Sequence, residues 1–299
     1  MAEKVAFIGL GVMGYPVAGF LAKAGHAVRV FNRTLARADQ WAVEYGGHAA
    51  RSPAEAAEGA DFVFTCVGND DHLRQVILGK AGALEAMKSG ALLIDHTTAS
   101  AEIARELHHK AFSRGIGFLD APVSGGEKGA QSGALTVMVG GDTAAYDQAL
   151  PLIQCYARMV KLLGPAGSGQ LAKMVNQICI AGTVQGLAEG LHFALAAGLD
   201  PLNVIEVISK GAAQSWQMEN RHKTMIEGHF NHGFAVDWMR KDLNIALDEA
   251  RSNGAHLPLT ALVDQFYSDV QAMGGGRWDT SSLIARLEDR RPKGEEGND

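Results

Sequence analysis

Short runs of apolar and β-branched residues alternate with Ala-rich stretches of helical period through the first half of the chain. The runs are Val5–Ile8, Ala27–Phe31, Asp61–Val67, Ala91–Asp95, Gly117–Ala121, Leu135–Gly140 and Met159–Leu163, each of strand length. Helical patterns lie between the early ones, over Val12–Ala24, Leu35–Tyr45, Pro53–Glu58, Asp71–Leu78 and Ala99–Arg114. Strand, helix, strand with short connections predicts an α/β fold with a mostly parallel sheet covered on both faces. The nearly continuous apolar character of the central runs is what burial on both faces requires.

From about Gly169 the strand pattern stops. Gln170–Ala197 is one long helical pattern, with Gly198 as its stop signal and Asp200-Pro201 as cap and first position of the next helix. Further helices are predicted over Leu202–Lys210, Ser215–Ile226, Val236–Asn253, Leu259–Met273 and Ser281–Arg290. The polar end, RPKGEEGND, reads as a disordered tail. The expected organisation is a sheet domain over 1–164, an all-helical domain over 165–290 and a tail over 291–299, bridged by the long helix.

Composition narrows the functional classes. At 299 residues, two domains are expected. Hydrophobic residues make up 47% and charged residues 20%, as in an ordinary globular protein. A formal charge of -6 without a Lys/Arg-dense stripe argues against a nucleic-acid or anionic-membrane partner. Cys66, Cys155 and Cys179 have neither metal-ligand spacing nor the makings of a disulfide framework, which points to a reducing, cytoplasmic setting. The start, MAEKVAFIGLGVMG, lacks the pattern of a secretion signal. No uninterrupted apolar run approaches the roughly 18 residues of a membrane span. The histidines form no set with carboxylates or thiols at zinc spacing, so no metal site is predicted. His96, just after a strand end, is a minor candidate for a cofactor contact.

The first chemical signal is G-x-G-x-x-G, formed by Gly9, Gly11 and Gly14, directly after the first strand and opening the first helix. Gly9 permits a tight turn, Gly11 lets backbone approach a pyrophosphate and Gly14 lets helix pack close to strand. The helix N-terminus offers N–H groups and partial positive charge. At the end of the second strand, where an acidic residue would bind an NAD ribose, the chain has Asn32-Arg33-Thr34. Asn32 does not repel a 2′-phosphate, Arg33 can pair with it, and Thr34 can donate its hydroxyl while capping the next helix. NADP is therefore the preferred cofactor. The alternative is that Arg33 stacks on adenine and NAD serves equally well.

Three later stretches carry candidate chemistry. In DAPVSGG, Asp120–Gly126, Ser124 with the backbone of Gly125 and Gly126 offers a plausible nest for a carboxylate, against the simpler reading of a turn between strands. In GSGQLAKMVNQ, Gly167–Gln177, Lys173, Asn176 and Gln177 can share one helix face. A lysine among Leu, Ala, Met and Val is unusual for a solvated residue, and burial would tune it toward acid–base use. A salt-bridging surface lysine is the plainer alternative. In FAVDWMRKDL, Phe234–Leu243, the Lys241-Asp242 pair reads first as an ion pair.

The fingerprint GLGVMG, the run DAPVSGG, the stretch GxGxxxKMxNQ and the late KDL together resemble the β-hydroxyacid dehydrogenase family, from Lys4 to about Leu287. The resemblance implies a Rossmann-type dinucleotide domain followed by an all-α domain of the 6-phosphogluconate dehydrogenase-like type, with substrate in a cleft. It places the catalytic lysine on Lys173, its neighbouring amides on Asn176 and Gln177, and the carboxylate loop on Ser124–Gly126. Cofactor contacts would include Leu10, Gly11, Val12, Met13, Asn32, Arg33, Thr34, Val67, Asn69, Thr98 and Lys241, with Phe234 near the nicotinamide. Asp242 would orient Lys173 or its neighbours, and Trp216 would wall the substrate pocket. The implied reaction is hydride transfer between NAD(P) and the β-carbon of a small 3-hydroxy acid such as 3-hydroxyisobutyrate or L-serine. The alternative direction is reduction of a small semialdehyde or glyoxylate. A homodimer or homotetramer is implied as well. Length argues against the decarboxylating 6-phosphogluconate relatives and Lys173 against imine reductases. The presence of Ser124, Lys173, Gln177 and Asp242 together argues against a binding module that has lost turnover.

Overall fold

The computed structural model describes residues 2–287; the predicted tail over 291–299 lies outside them. The chain divides into two compact units, Met1–Lys173 and Met174–Asp299.

The first unit is built from β1 (Lys4–Ile8), α1 (Gly14–Lys23), β2 (Ala27–Phe31), α2 (Leu35–Tyr45), β3 (His48–Ala49), α3 (Pro53–Ala57), β4 (Phe62–Thr65), α4 (Asp70–Leu78), α5 (Ala83–Ala86) and β5 (Leu92–Asp95). It continues through α6 (Ala101–Phe112), β6 (Gly117–Asp120), β7 (Val123–Ser124), α7 (Gly126–Gln131), β8 (Leu135–Gly141), α8 (Thr143–Ile153) and β9 (Ala157–Gly164). The strands form one sheet in the order β3-β2-β1-β4-β5-β6-β8-β7, with β9 beside β8. The part from β3 to β6 is parallel, whereas β8 runs antiparallel to β6 and β7 and parallel to β9. Its first six positions follow the order of dinucleotide-binding sheets, which reverses direction between β1 and β4. Alternate residues of β1 feed opposite cores. Val5 and Phe7 pack with Leu21, Trp41 and Phe64, while Ala6 and Ile8 pack with Val63, Leu73 and Leu93 on the other face.

The long helix α9 (Ser168–Ala196) begins in the first unit and continues into the second. The second unit adds α10 (Pro201–Ile208), α11 (Trp216–Glu227), α12 (Val236–Asn253), α13 (Pro258–Ala272) and a 3-10 turn over Thr280–Arg286. Its own core gathers Val184, Leu191, Met225, Met239, Leu243, Val263, Tyr267 and Leu283. Gly198 is left-handed with φ +73° after α9, and Asp200 caps α10 by accepting the Leu202 N–H at 2.9 Å.

Two expectations change. The helix predicted over Ser281–Arg290 is a 3-10 turn over its described part. The Asp279 carboxylate accepts from Ser281 N and Oγ, and Tyr267 Oη donates to Thr280 O at 3.2 Å, so a buried polar knot sets the tighter geometry. In addition, α9 is by length and composition apolar enough to cross a membrane. Run-length reading misses this because Gly, Gln and Lys interrupt its apolar positions. Its polar residues Lys173, Gln177 and Gln185 are buried within the protein.

Candidate active site

The turn after β1 is shaped by sterics. Gly9 adopts φ +100° and donates its N–H to Phe31 O at 2.8 Å. A Cβ on Gly9 would sit 2.2 Å from Cys66 O, and one on Gly14 would sit 2.0 Å from Gly9 O. Both positions exclude any larger residue. At Gly11 a Cβ would meet nothing within 4 Å, so the protein itself does not require this glycine. Open space there is what close approach of a pyrophosphate needs. Leu10 is buried, Val12 points outward, and Met13 precedes α1, whose N-terminus has no side-chain cap. Those first amides are thus disposed toward an anion, and the residues fit a dinucleotide.

At the end of β2, Asn32 secures this turn. Its Oδ1 accepts from Leu10 N at 3.0 Å and its Nδ2 donates to Thr34 O at 3.1 Å. Arg33 and Thr34 are exposed. Thr34 stands at the N-cap of α2, but its hydroxyl makes no capping bond. This corrects the expected cap: the first turn of α2 is met instead by the Thr34 carbonyl, which accepts from Arg37 N at 3.0 Å. Sequence reading missed Arg37, whose Nε donates to Leu10 O and whose guanidinium lies 5.2 Å from the Tyr15 ring. The available signal was its spacing, one helical turn after Arg33.

The ends of β4 and β5 border the same turn. Val67 Cγ1 would lie 3.0 Å from a Cβ on Gly9, and Val67 N donates to Thr97 Oγ1 at 3.0 Å. Asn69 caps α4 by accepting from His72 N at 2.9 Å. Thr98 is half-buried in the loop before α6. His96, by contrast, is buried with Nδ1 2.6 Å from Ala121 O and Nε2 2.7 Å from Tyr156 Oη. Both ring nitrogens serve the core, which removes it as a cofactor contact. Burial pushes its pKa down to about 4.

Two carboxylates stand side by side in the register of β5 and β6, Asp95 and Asp120. Asp95 accepts from Thr65 Oγ1 at 2.6 Å and Thr97 N at 3.0 Å; burial pushes its pKa up to about 7. Asp120 accepts from Gly167 N at 2.7 Å and Gln170 N at 2.9 Å; burial pushes it up to about 6. Beyond β6, Ser124 is half-buried, and Gly125 and Gly126 adopt φ +130° and +61° at the start of α7. That backbone presents consecutive N–H groups at a turn, a geometry suited to a carboxylate. Lys173 is only 7% exposed on α9, so it is not a surface side chain.

In the second unit, polar side chains form a chain around the buried Gln177 and Asp242. Asn176 Nδ2 donates to Gln177 Oε1 at 2.8 Å, and Gln177 Nε2 donates to Asp242 Oδ2 at 2.7 Å. Lys241 Nζ is 2.9 Å from Asp242 Oδ1. Asp242 thus holds Gln177, which holds Asn176, while Lys241 balances the buried charge. Phe234 and Trp216 are partly exposed, and both are tied to Asp279: Phe234 N donates to it at 2.9 Å, and Arg221, 3.1 Å from it, lies 4.9 Å from the Trp216 ring. Arg221 and Asp279 were not legible as partners, being far apart in sequence.

A parallel sheet with an open glycine turn at its direction reversal, in a chain that also buries a lysine on a long helix, defines a nicotinamide-dependent oxidoreductase. Residues 4–164 match the family model described as the NAD binding domain of 6-phosphogluconate dehydrogenase. Residues 167–287 match that described as NAD-binding of NADP-dependent 3-hydroxyisobutyrate dehydrogenase. An uncharacterized oxidoreductase of Shewanella frigidimarina is 68% identical, covering 96% of this chain and 99% of its own. The 2-hydroxy-3-oxopropionate reductase of Escherichia coli is 35% identical, covering 95% and 97%. The structure of 3-hydroxyisobutyrate dehydrogenase from Mycobacterium tuberculosis with L-serine superposes with a TM-score of 0.87 at 33% identity, covering 96% and 100%. The chain belongs to the β-hydroxyacid dehydrogenase family.

Proposed function

We propose that the protein transfers hydride between NADP and the β-carbon of a small 3-hydroxy acid, with Lys173 as general acid and base. The observation that carries this reading is the burial of Lys173 on α9, in the same compact unit as the glycine turn and the Ser124–Gly126 loop. When bound, the nicotinamide supplies the hydride acceptor or donor. Gly9–Gly14, Val67, Asn69 and Thr98 would hold the dinucleotide, with Phe234 and Lys241 as further contacts. The hydroxyl of Ser124 and the N–H groups of Gly125 and Gly126 take the substrate carboxylate. Lys173 Nζ accepts the substrate hydroxyl proton during oxidation and returns one during reduction. As an ammonium it stabilises the alkoxide-like oxygen without a metal. The family resemblance supports roles for Asn176 and Gln177, set by Asp242, at the carboxylate and for Trp216 as a substrate contact. Alignment of donor and acceptor away from water supplies much of the rate.

Arg33 is exposed, and Arg37 is fastened to the glycine turn. Arg33 just after β2 and Arg37 in the first turn of α2, with asparagine at the position an acidic residue would occupy, support NADP. NADP use favours a second reading, reduction of a semialdehyde such as succinic or tartronate semialdehyde, or of glyoxylate. Three free thiols fit a reducing, cytoplasmic compartment. A cofactor-by-substrate matrix tests the function. NAD and NADP would be set against L-serine, 3-hydroxyisobutyrate, 3-hydroxypropionate and glycerate oxidation, and against reduction of the three aldehydes. Turnover is expected with NADP on at least one of them. Cofactor binding with no turnover across the panel would dismiss this substrate class.

A further inference from the structure

The first turn of α9 is fastened to the sheet by two buried polar side chains. Asp120, fully buried at the end of β6, accepts from the N–H groups of Gly167 and Gln170 with its two oxygens. An anion at a helix N-terminus meets both the orphan amides and the helix dipole. Gln170, also fully buried, extends the fastening sideways: Nε2 donates to Thr97 O at 2.7 Å, and Oε1 accepts from Ala99 N at 3.0 Å. The two bonds bracket Thr98. Fit is close on the backbone side too. A Cβ on Gly140 would lie 2.6 Å from Asp120 Oδ1 and 2.8 Å from Ser168 N, and one on Gly169 would lie 2.5 Å from Asp120 O. The helix start therefore rests directly on the strand ends.

Lys173 follows Gln170 by three residues, just under one helical turn. We infer that Asp120 and Gln170 are positioning residues for the reaction: together they fix the register of Lys173 against the Thr97–Ala99 loop. Neither touches the reacting atoms in this reading. Asp120 sets where α9 starts, and Gln170 makes the loop bearing Thr98 move only with that start. Loss of either bond set leaves the site's groups present but displaced. Displacement on the ångström scale costs up to about 100-fold in rate while binding survives.

The inference rests on the assignment of Lys173, so the experiment reads both. Asp120→Asn keeps the volume but turns an amide against one of the two N–H donors. Gln170→Ala removes the loop tie alone and serves should Asp120→Asn fail to fold. For each, hydrogen exchange at the Gly167–Leu171 amides, the NADPH Kd, KM and kcat are measured, with Lys173→Ala alongside. Expected are faster exchange in Asp120→Asn, kcat lowered about 10–100-fold in both variants, and KM and Kd within about threefold. Asp120→Ala should lose more than Asp120→Asn. Retention of kcat within about twofold in both variants, while Lys173→Ala is inactive, overturns the positioning role alone. A rise in KM or Kd that accounts for the whole loss also overturns it, since disrupted structure would do that. Turnover that survives Lys173→Ala overturns the Lys173 assignment, and this inference with it.

Discussion

Buried ionisable side chains close to one another leave opposing marks on stability. Unfolded, Asp95 releases its proton near its ordinary 3.8; folded, burial keeps the proton on to about pH 7. The folded state binds the extra proton over that window, so this contribution to stability falls as pH rises through it. His96 acts in the other sense. Its ordinary 6.5 is lowered to about 4 in the fold, so its contribution rises with pH between about 4 and 6.5. Each amounts to a few kcal/mol, and they offset one another below about pH 6.5. Asp95→Asn keeps an acceptor for Thr65 and for the Thr97 N–H while removing the falling contribution. The stability of Asp95→Asn relative to the wild type is expected to grow by a few kcal/mol between about pH 4 and pH 8, read by urea unfolding. A difference independent of pH would show that Asp95 is already ionised in the fold.

Among the elements, α2 over Leu35–Tyr45 and α12 over Val236–Asn253 coincide with the sequence pattern, because both are amphipathic helices with clear stops. The pattern missed α7 and α8. The sequence of α7, GEKGAQ, has too few apolar positions to show a period, and Pro151 sits inside α8 and reads as a breaker. Nor could apolar runs reveal that β8 turns antiparallel to β6, since strand direction leaves no mark on composition. At the site, the glycine turn and the α9 motif were legible as spacing. The Lys241–Asp242 ion pair was legible too, as neighbours in the chain. Leu10 as a partner of Asn32, the α9 amides that bind Asp120 and Gln177 as a partner of Asp242 were not, because they lie on other elements. The seating of α9 makes its own prediction. A Cβ on Gly169 would lie 2.5 Å from both Asp120 O and Met138 O, backbone atoms that cannot rotate away. Gly169→Ala is expected to cost about 1–3 kcal/mol of stability, measured by thermal or denaturant melting. An unchanged melting curve would mean that the helix start is not so closely packed.

At the scale of the whole molecule, large apolar side chains stand exposed on α9 and α10. Only 39% of the most apolar window of α9 is buried. Phe193 and Val175 on α9, and Val207 on α10, are each more than half exposed. The same two helices also line a groove of about 310 Å³, with Gly186 and Gly190 from α9 and Val204 and Ile208 from α10. Patches of this kind mark interaction surfaces, and we propose that a second copy of the chain covers it, giving a dimer or tetramer. Sedimentation should show an even-numbered oligomer, shifted toward monomer by Phe193→Glu. A monomeric wild type would contradict that assembly.

The most direct measurement compares Lys173→Ala with the wild type, using the best cofactor and substrate pair. NADPH affinity by fluorescence titration should stay within about threefold, because the residues proposed to hold the dinucleotide are untouched, while kcat should fall at least about 100-fold. Turnover retained within about tenfold would contradict the assignment of the reaction's proton to Lys173.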